Sequence, residues 1–385
     1  MGTVSKREYL EAIRSRYRQA RKKGKQAILD EFCQVCGYNR KYAIRLLRRR
    51  PLHLHKRPGP RPRYCPEQIL LPLKRFWLAT DQMCSKRLVA ALPLWLPFYE
   101  QEYGSLPAEL KAQLLKISPA TLDRLLKPVR VRVKRRGRSG TRPGTLLKNQ
   151  IPLQPHHWNV HQPGFLEADT VAHCGNSLAG DFVWSLTLTD LFSGWTENRA
   201  TWNKGAHGVM TQVRDIELQL PFPILGFDCD NGSEFLNHHL FRYFTHRPQG
   251  AVPFTRSRSY HKNDNAHVEQ KNWTHVRQLL GYDRFDQPQL VEFINQLYRQ
   301  PWSLYHNFFC PTLKLKEKRR IRSRYRKHYE PPRTPYQRLL DSPHLSPQAK
   351  EKLRVLFQTL NPFQLKKKIE AQLKIIFNTL RSPTS

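Results

Sequence analysis

The chain has 385 residues and carries 66 Lys and Arg against 30 Asp and Glu, a formal net charge of +36 at neutral pH. Its 39% hydrophobic content and mean hydropathy of −0.66 allow ordinary cores in about two to four domains, but no apolar run approaches the roughly 20 residues of a membrane-spanning helix. So large a cationic excess calls for a polyanionic partner, nucleic acid before any membrane. The opening MGTVSKREYLEAIRSRY lacks the apolar core of a secretory signal, so a cytoplasmic, nucleoid-associated protein is expected. Seven cysteines, odd in number and scattered, point to reduced thiols rather than to a disulfide framework.

Residues 1–56 place apolar side chains at helical spacing: Tyr9, Leu10, Ile13 and Tyr17, then Ala27, Ile28 and Phe32, then Tyr42, Ala43, Leu46 and Leu47. A helix, a turn at Gly37 and a second helix bearing Arg45, Arg48 and Arg49 make a helix-turn-helix pattern, whose second helix would lie in a major groove. Cys33 and Cys36 with His53 and His55 have the residue types of a zinc site. Their i, i+3 spacing within an apolar-periodic segment instead puts two small side chains on one buried helical face, which argues against structural zinc. Residues 57–65 read as a basic linker. A second helical module, 66–128, carries Ile69, Leu73, Phe76 and Trp77, then Leu88, Leu92 and Trp95, and a helix start at Ser118-Pro119. Both a further helix-turn-helix and a plain helical bundle fit it. Residues 129–157 form a second basic linker, punctuated by Gly and Pro.

From 158 the period drops to two. Strands are expected over 165–171, 182–189 and 195–201. A helical stripe follows through Ala206, Met210, Val213, Ile216 and Leu220, then a short buried strand over 223–229. A helix over 233–245, a strand over 251–255 and a helix over 266–280 complete the order βββαβαβα. That order predicts a mixed five-stranded sheet with helices on both faces, occupying 158–282. Residues 283–385 read as a basic and helical region. Within it KLKEKRRIRSRYRKHY (314–329) is a charge run, either DNA-contacting or a solvated tail, and 346–380 is again helical, for packing on the core or for self-association.

Three acids fall at distinctive places: Asp169 in the first strand, Asp230 at the end of the fourth, and Glu269 in the first turn of the last helix. If the first and fourth strands are neighbours, three hard oxygen donors converge, a set suited to Mg²⁺ or Mn²⁺. Two such ions can activate an attacking oxygen and stabilise the leaving oxygen of a phosphodiester. Asp228 lies two residues before Asp230, on the same side of an extended strand, and is an auxiliary candidate. Glu167 either shares the face of Asp169 or is an exposed strand carboxylate. Glu234 is read as a charge at a helix start, and Asp190 as closing the turn 191–194. His173 and His267 neighbour the acids in sequence without an assigned role, and Lys262, Lys271 and Arg277 are candidate phosphate contacts.

The motifs Phe165-Leu-Glu-Ala-Asp169, Asp228-Cys-Asp-Asn-Gly-Ser-Glu-Phe235 and Asn263-Asp-Asn-Ala-His-Val-Glu-Gln270 resemble the integrase catalytic core of DDE transposases and retroviral integrases, above all bacterial insertion-sequence transposases. The resemblance is strongest over about 160–282, and the interval from Asp230 to Glu269 is somewhat wider than is typical of the family. It implies an α/β RNase H-like core behind all-α helix-turn-helix modules. It also implies Asp169, Asp230 and Glu269 as the catalytic, metal-holding residues, with two Mg²⁺ or Mn²⁺ ions. The implied reaction is hydrolytic exposure of a 3′-OH and then attack of that hydroxyl on target DNA, by a homo-oligomer assembled on double-stranded element ends. A nuclease of the same fold without strand transfer, and a DNA-binding regulator without activity, are the alternatives.

Overall fold

Leu10, Ile13 and Tyr17, then Leu29, Phe32 and Cys36, then Ala43 and Leu47 recur at one helical turn, and each set is the buried face of a helix. The computed structural model describes residues 2–48, 64–132, 160–229, 234–235, 238–248, 250–256, 266–321 and 323–382. The chain forms two compact units, Met1–Arg63 and Tyr64–Ser385. In the first, α1 (Thr3–Gln19), α2 (Lys22–Cys36) and α3 (Arg40–Arg48) enclose a core centred on the fully buried Phe32. Gly37 ends α2 with φ 67°, a left-handed conformation that costs glycine little, so α3 starts after a three-residue turn.

The second unit begins with four helices, α4 (Pro66–Ala79), α5 (Ser85–Tyr103), α6 (Ala108–Leu115) and α7 (Pro119–Arg132). A five-stranded sheet follows: β1 (Phe165–Ala172), β2 (Val183–Asp190), β3 (Thr196–Trp202), β4 (Gly226–Cys229) and β5 (Phe254–Arg256), in the spatial order β3-β2-β1-β4-β5. β1 to β3 are an antiparallel meander, while β4 pairs parallel with β1 and β5 parallel with β4. Helix α8 (Ala206–Gln219) connects β3 to β4, and α9 (His238–Thr245) lies between β4 and β5. This mixed sheet is the expected RNase H-like core.

Strand parity fixes which helices cover which face. Asp169, Thr187 and Asn198 stand opposite one another and share a face, as do Glu167, Thr189 and Thr196. On that face lies α10 (Ala266–Lys271), whose Val268 N–H donates to the Glu167 carboxylate. Arg199 belongs to the other face and reaches Asp215 of α8. Helices therefore cover both faces. The expected last helix does run to Leu280, but in three parts: α10, a π stretch Asn272–Arg277, and α11 (Gln278–Leu280). β5 starts three residues later than the apolar pattern indicates.

The chain continues through α12 (Leu290–Leu297), a π stretch Tyr298–Trp302 that contains Pro301, and α13 (Ser303–Phe309). The charge run then forms a hairpin, β6 (Leu315–Ile321) with β7 (Arg324–Tyr329), where the sequence left a contact segment or a tail. Helices α14 (Pro335–Asp341), α15 (Pro347–Thr359) and α16 (Pro362–Arg381) close the chain. They join the core: Trp95 of α5 donates its indole N–H to Phe309 O at 2.9 Å, and its ring meets Phe363 of α16 edge-on at 5.2 Å. Tyr305 donates to Ala79 O at 2.6 Å. The helices of 66–128 thus share one hydrophobic core with the sheet and the C-terminal helices. Among the described residues no helix is long and apolar enough to cross a membrane.

Candidate active site

The parallel ladder at the centre of the sheet sets Glu167 opposite Asp228, and Asp169 lies two residues further along β1 on the same face. Glu167 is buried, its carboxylate taking the Val268 N–H at 3.1 Å. The exposed-strand alternative for this residue is therefore excluded, since it fastens α10 to β1. Asp228 is half-buried and accepts from the Thr255 hydroxyl of β5 at 2.6 Å. Asp169 accepts from Thr170 N at 2.7 Å through Oδ1 and from Asn272 Nδ2 at 2.6 Å through Oδ2.

Asn272 is buried and opens the π stretch, three residues after Glu269. Side chains three apart lie one turn apart on the same side of a helix, so the turn that carries the exposed Glu269 is docked beside Asp169. Local π geometry is a frequent companion of functional positions because it re-aims side chains without breaking the helix. The structure thus brings Asp169, Glu167 and Asp228 to one face and sets the helix of Glu269 over it. Asp230 lies outside the described residues. The last described step of the ladder, Ala168 opposite Cys229, is followed in the sequence by Asp169 on one strand and Asp230 on the other.

Carboxylates are hard oxygen donors of the kind Mg²⁺ and Mn²⁺ take, and the Cys229 thiol belongs by parity to the opposite face, so the donor chemistry fits those ions. Among the described residues no group of three or more His, Cys, Asp or Glu is gathered closely enough to hold a metal ion.

The basic candidates divide. Lys271 is half-buried and donates to Gly194 O at 3.3 Å, and burial together with the nearby Arg87 and Arg338 pulls its ammonium down to about 7. Arg277 donates to Ala172 O at 2.9 Å and lies 4.7 Å from the centre of the Tyr282 ring. Both therefore hold the end of β1 and the β2–β3 turn in the structure. Arg45 and Arg48 are exposed on α3, with Arg45 at 5.0 Å from the Tyr42 ring. Lys262, Arg49, His53 and His55 lie outside the described residues. Cys33 and Cys36 are free thiols, half-buried and buried.

Glu234 lies in a turn ahead of α9 and is buried on the far side of β1, paired with Lys204 at 2.8 Å and accepting from the Thr170 hydroxyl at 3.0 Å; Ser233, where the helix start was expected, lies outside the described residues, as do residues 236–237 just before α9. Thr170 follows Asp169 with opposite parity, which is why one strand serves both groups. Asp190 does close its turn: one oxygen accepts from Ser193 N and Oγ, the other from Gly164 N, while burial raises its carboxyl above the usual range. His173 is a core residue, bonded to Ser185 Oγ at 2.7 Å and held neutral by burial, down to about 3. Asn272 and Thr255 are the contacts that sequence reasoning missed. No periodicity or motif spacing marks either.

No protein-family model matches the chain. It is 40% identical over 339 residues, covering 87% of this chain and 95% of the other, to the "Uncharacterized protein y4rM" of Sinorhizobium fredii (strain NBRC 101917 / NGR234). Among solved structures it is similar to the catalytic core domain of BIV integrase at 17% identity and a TM-score of 0.31, covering 47% of this chain and 96% of that one.

Proposed function

The chain belongs to one family with the Sinorhizobium fredii protein y4rM, and from that premise and the geometry of the sheet we propose that it is a transposase acting on double-stranded DNA. The observation that carries this reading is the contact between Asp169 on a central strand and Asn272 on the helix that bears Glu269, next to a parallel strand that leads into Asp230. Asp169, Asp230 and Glu269 are the catalytic residues and would hold two Mg²⁺ or Mn²⁺ ions. Bound there, such ions would supply an activated attacking oxygen and neutralise charge on the leaving one.

The chain's own residues do the positioning. Asn272 holds one oxygen of Asp169 and so sets the plane of that carboxylate, while Glu167 ties the helix to β1 at Val268. Asp228, fixed by Thr255, adds negative charge beside the site as an auxiliary group. The reaction is hydrolytic exposure of a 3′-OH at an element end, then attack of that hydroxyl on target DNA.

In this reading residues 158–282 are the catalytic core. Residues 1–56 are the helix-turn-helix, with Arg45, Arg48 and Arg49 reading element ends, and Lys262 meets phosphate beside the acids. The active form is a homo-oligomer on paired ends, in the bacterial cytoplasm.

The test is cleavage and joining of linear DNA carrying the sequences that bracket the gene, with Mg²⁺ or Mn²⁺. The unsubstituted protein should yield joined molecules. D169N, D230N and E269Q should each abolish cutting and joining while still binding DNA. Hydrolysis without joined products would mean a nuclease, and full activity in any one variant would remove that residue from the assignment.

A further inference from the structure

The charge run that the catalytic reading leaves unused is a structured ribbon. β6 and β7 pair antiparallel with each other alone among the described residues, and almost all of their residues are exposed. Lys318 stands directly opposite Lys327, and Arg319 directly opposite Arg326. By strand parity the two like-charged pairs lie on opposite faces. Arg324 adds to the Arg319 face and Arg320 to the Lys318 face, so both faces are cationic. The one acid in the ribbon, Glu317, is bonded to Arg319.

The ribbon has a fixed root. Thr312 bridges to Arg333, and Arg338 of α14 donates to Thr312 O at 2.8 Å and to Ser193 O at 3.2 Å. Lys314 donates to Phe192 O at 2.8 Å. With Lys271 on Gly194 O, three successive carbonyls of the β2–β3 turn are taken by cations from the ribbon root, from α14 and from the helix of Glu269. The ribbon therefore rises from the turn that also steadies the candidate catalytic helix.

We infer that this ribbon is a grip for duplex DNA, entering a groove so that its two cationic faces meet the phosphates on both walls. The inference rests on the reading that the chain acts on DNA and deepens it. Like charges placed directly across a strand pair weaken that pair, and here neither face is buried in compensation. A polyanion on both sides removes the repulsion on both faces at once. A two-stranded ribbon fits the B-DNA major groove, about 12 Å wide, whereas the major groove of A-form RNA is too narrow and deep for it. A lipid surface takes an element with one cationic and one apolar face, and this ribbon has no apolar face. Lys and Arg on phosphates fix position without reading sequence.

The test is binding of the full-length protein to a short duplex of random sequence, without divalent ions, across a salt series. The variant K318S/R319S/R326S/K327S should bind about tenfold or more weakly near 0.15 M salt, with a log–log salt slope smaller by about 2 to 4, given roughly 0.9 per phosphate contact. The charge-keeping variant K318R/R319K/R326K/K327R should stay within about twofold of the unsubstituted chain, since the term is electrostatic. Circular dichroism checks folding; if the serine variant does not fold, a chain with 315–329 replaced by a short Gly-Ser link is judged by the same criteria. Unchanged affinity and slope would overturn the inference, as would tighter binding of the unsubstituted protein to duplex RNA or to phosphatidylserine vesicles than to DNA. D169N separates this from the catalytic reading: ribbon-dependent binding with no cleavage under any condition sinks only the transposase, and cleavage with ribbon-independent binding sinks only the grip.

Discussion

Asn272 is the side chain whose removal best separates holding the site from doing its chemistry. Its amide donates to a carboxylate at 2.6 Å from a nearly inaccessible position, and hydrogen bonds to charged acceptors contribute about 1.5–3 kcal/mol. Asn272→Ala should therefore lower stability by about 1–3 kcal/mol in urea titrations, because it leaves the Asp169 oxygen without that donor. Glu269→Gln, at an exposed position one turn before Asn272, should cost less than about 1 kcal/mol. If the two variants destabilised equally, the contact would not be what docks this helix on β1. Asp169 and Glu269 were legible in the sequence because an acid within a period-two strand and an acid opening a helix each sit inside a motif. Asn272 was not. A single amide three residues after a glutamate resembles any polar position on a helix, and only the register of α10 over β1 gives it a partner.

At the scale of elements, β3 is fastened to α8 by Arg199, which is fully buried. It donates to Asp215 at 2.5 Å, to Gln219 at 2.9 Å and to its neighbour Asn198 O at 2.7 Å, and it lies 3.4 Å from Glu197. Glu197 is itself buried and accepts from Ser303 Oγ and Trp195 Nε1. Taking away one partner of a buried pair leaves an uncompensated charge, so Arg199→Met should cost about 3–5 kcal/mol, read as a fall in the urea midpoint. A loss below about 1 kcal/mol would mean that Glu197 is already neutral in the folded chain, the direction in which burial pushes it. β2 was legible because Trp184, Leu186 and Leu188 alternate with Ser185, Thr187 and Thr189, and β3 because the turn at 191–194 leads into it; the ends of both shifted by only a residue. The β6–β7 ribbon was not, since alternation appears in a sequence only when one face is buried and the other is not. Both of its faces are charged. The π stretches also left no local signal, although Pro301, which lacks an N–H to donate, sits within one of them.

The long-range assembly of the second unit was hidden for a different reason. Contacts such as Trp95 with Phe309, or Tyr305 with Ala79, join residues more than two hundred positions apart and impose no period on either segment. That assembly encloses three histidines, His173 and His275 buried and His306 half-buried. His173 is held neutral by burial and by nearby Arg277, down to about 3. His275 and His306 lie tilted against each other with ring centres 4.3 Å apart; burial and the charges of Lys271 and Arg87 press both well below the usual value, with His306 acting also on His275 and Lys366 also on His306. Each folded value lies below the unfolded one, near 6.5, so the unfolded chain takes up protons first and stability falls as the pH drops below about 6.5 toward 3. Asp190 and Glu197, raised by burial, act in the opposite sense: the folded chain protonates them first, which relieves part of their cost on acidification. At about 1.4 kcal/mol per proton per pH unit, His173 alone, held down to about 3, amounts to a loss of about 2 kcal/mol between pH 6.5 and 5, and His275 and His306 act in the same direction before that offset. The urea midpoint should therefore be far lower at pH 5 than at pH 7.5. His173→Phe should flatten the dependence by about one proton's worth, near 1.4 kcal/mol per unit, because Ser185 keeps Tyr298 as a partner when the imidazole is gone. A midpoint that did not move between the two pH values would contradict the neutral state of all three rings, and with it the packing of α13 and the Asn272–Arg277 stretch against each other.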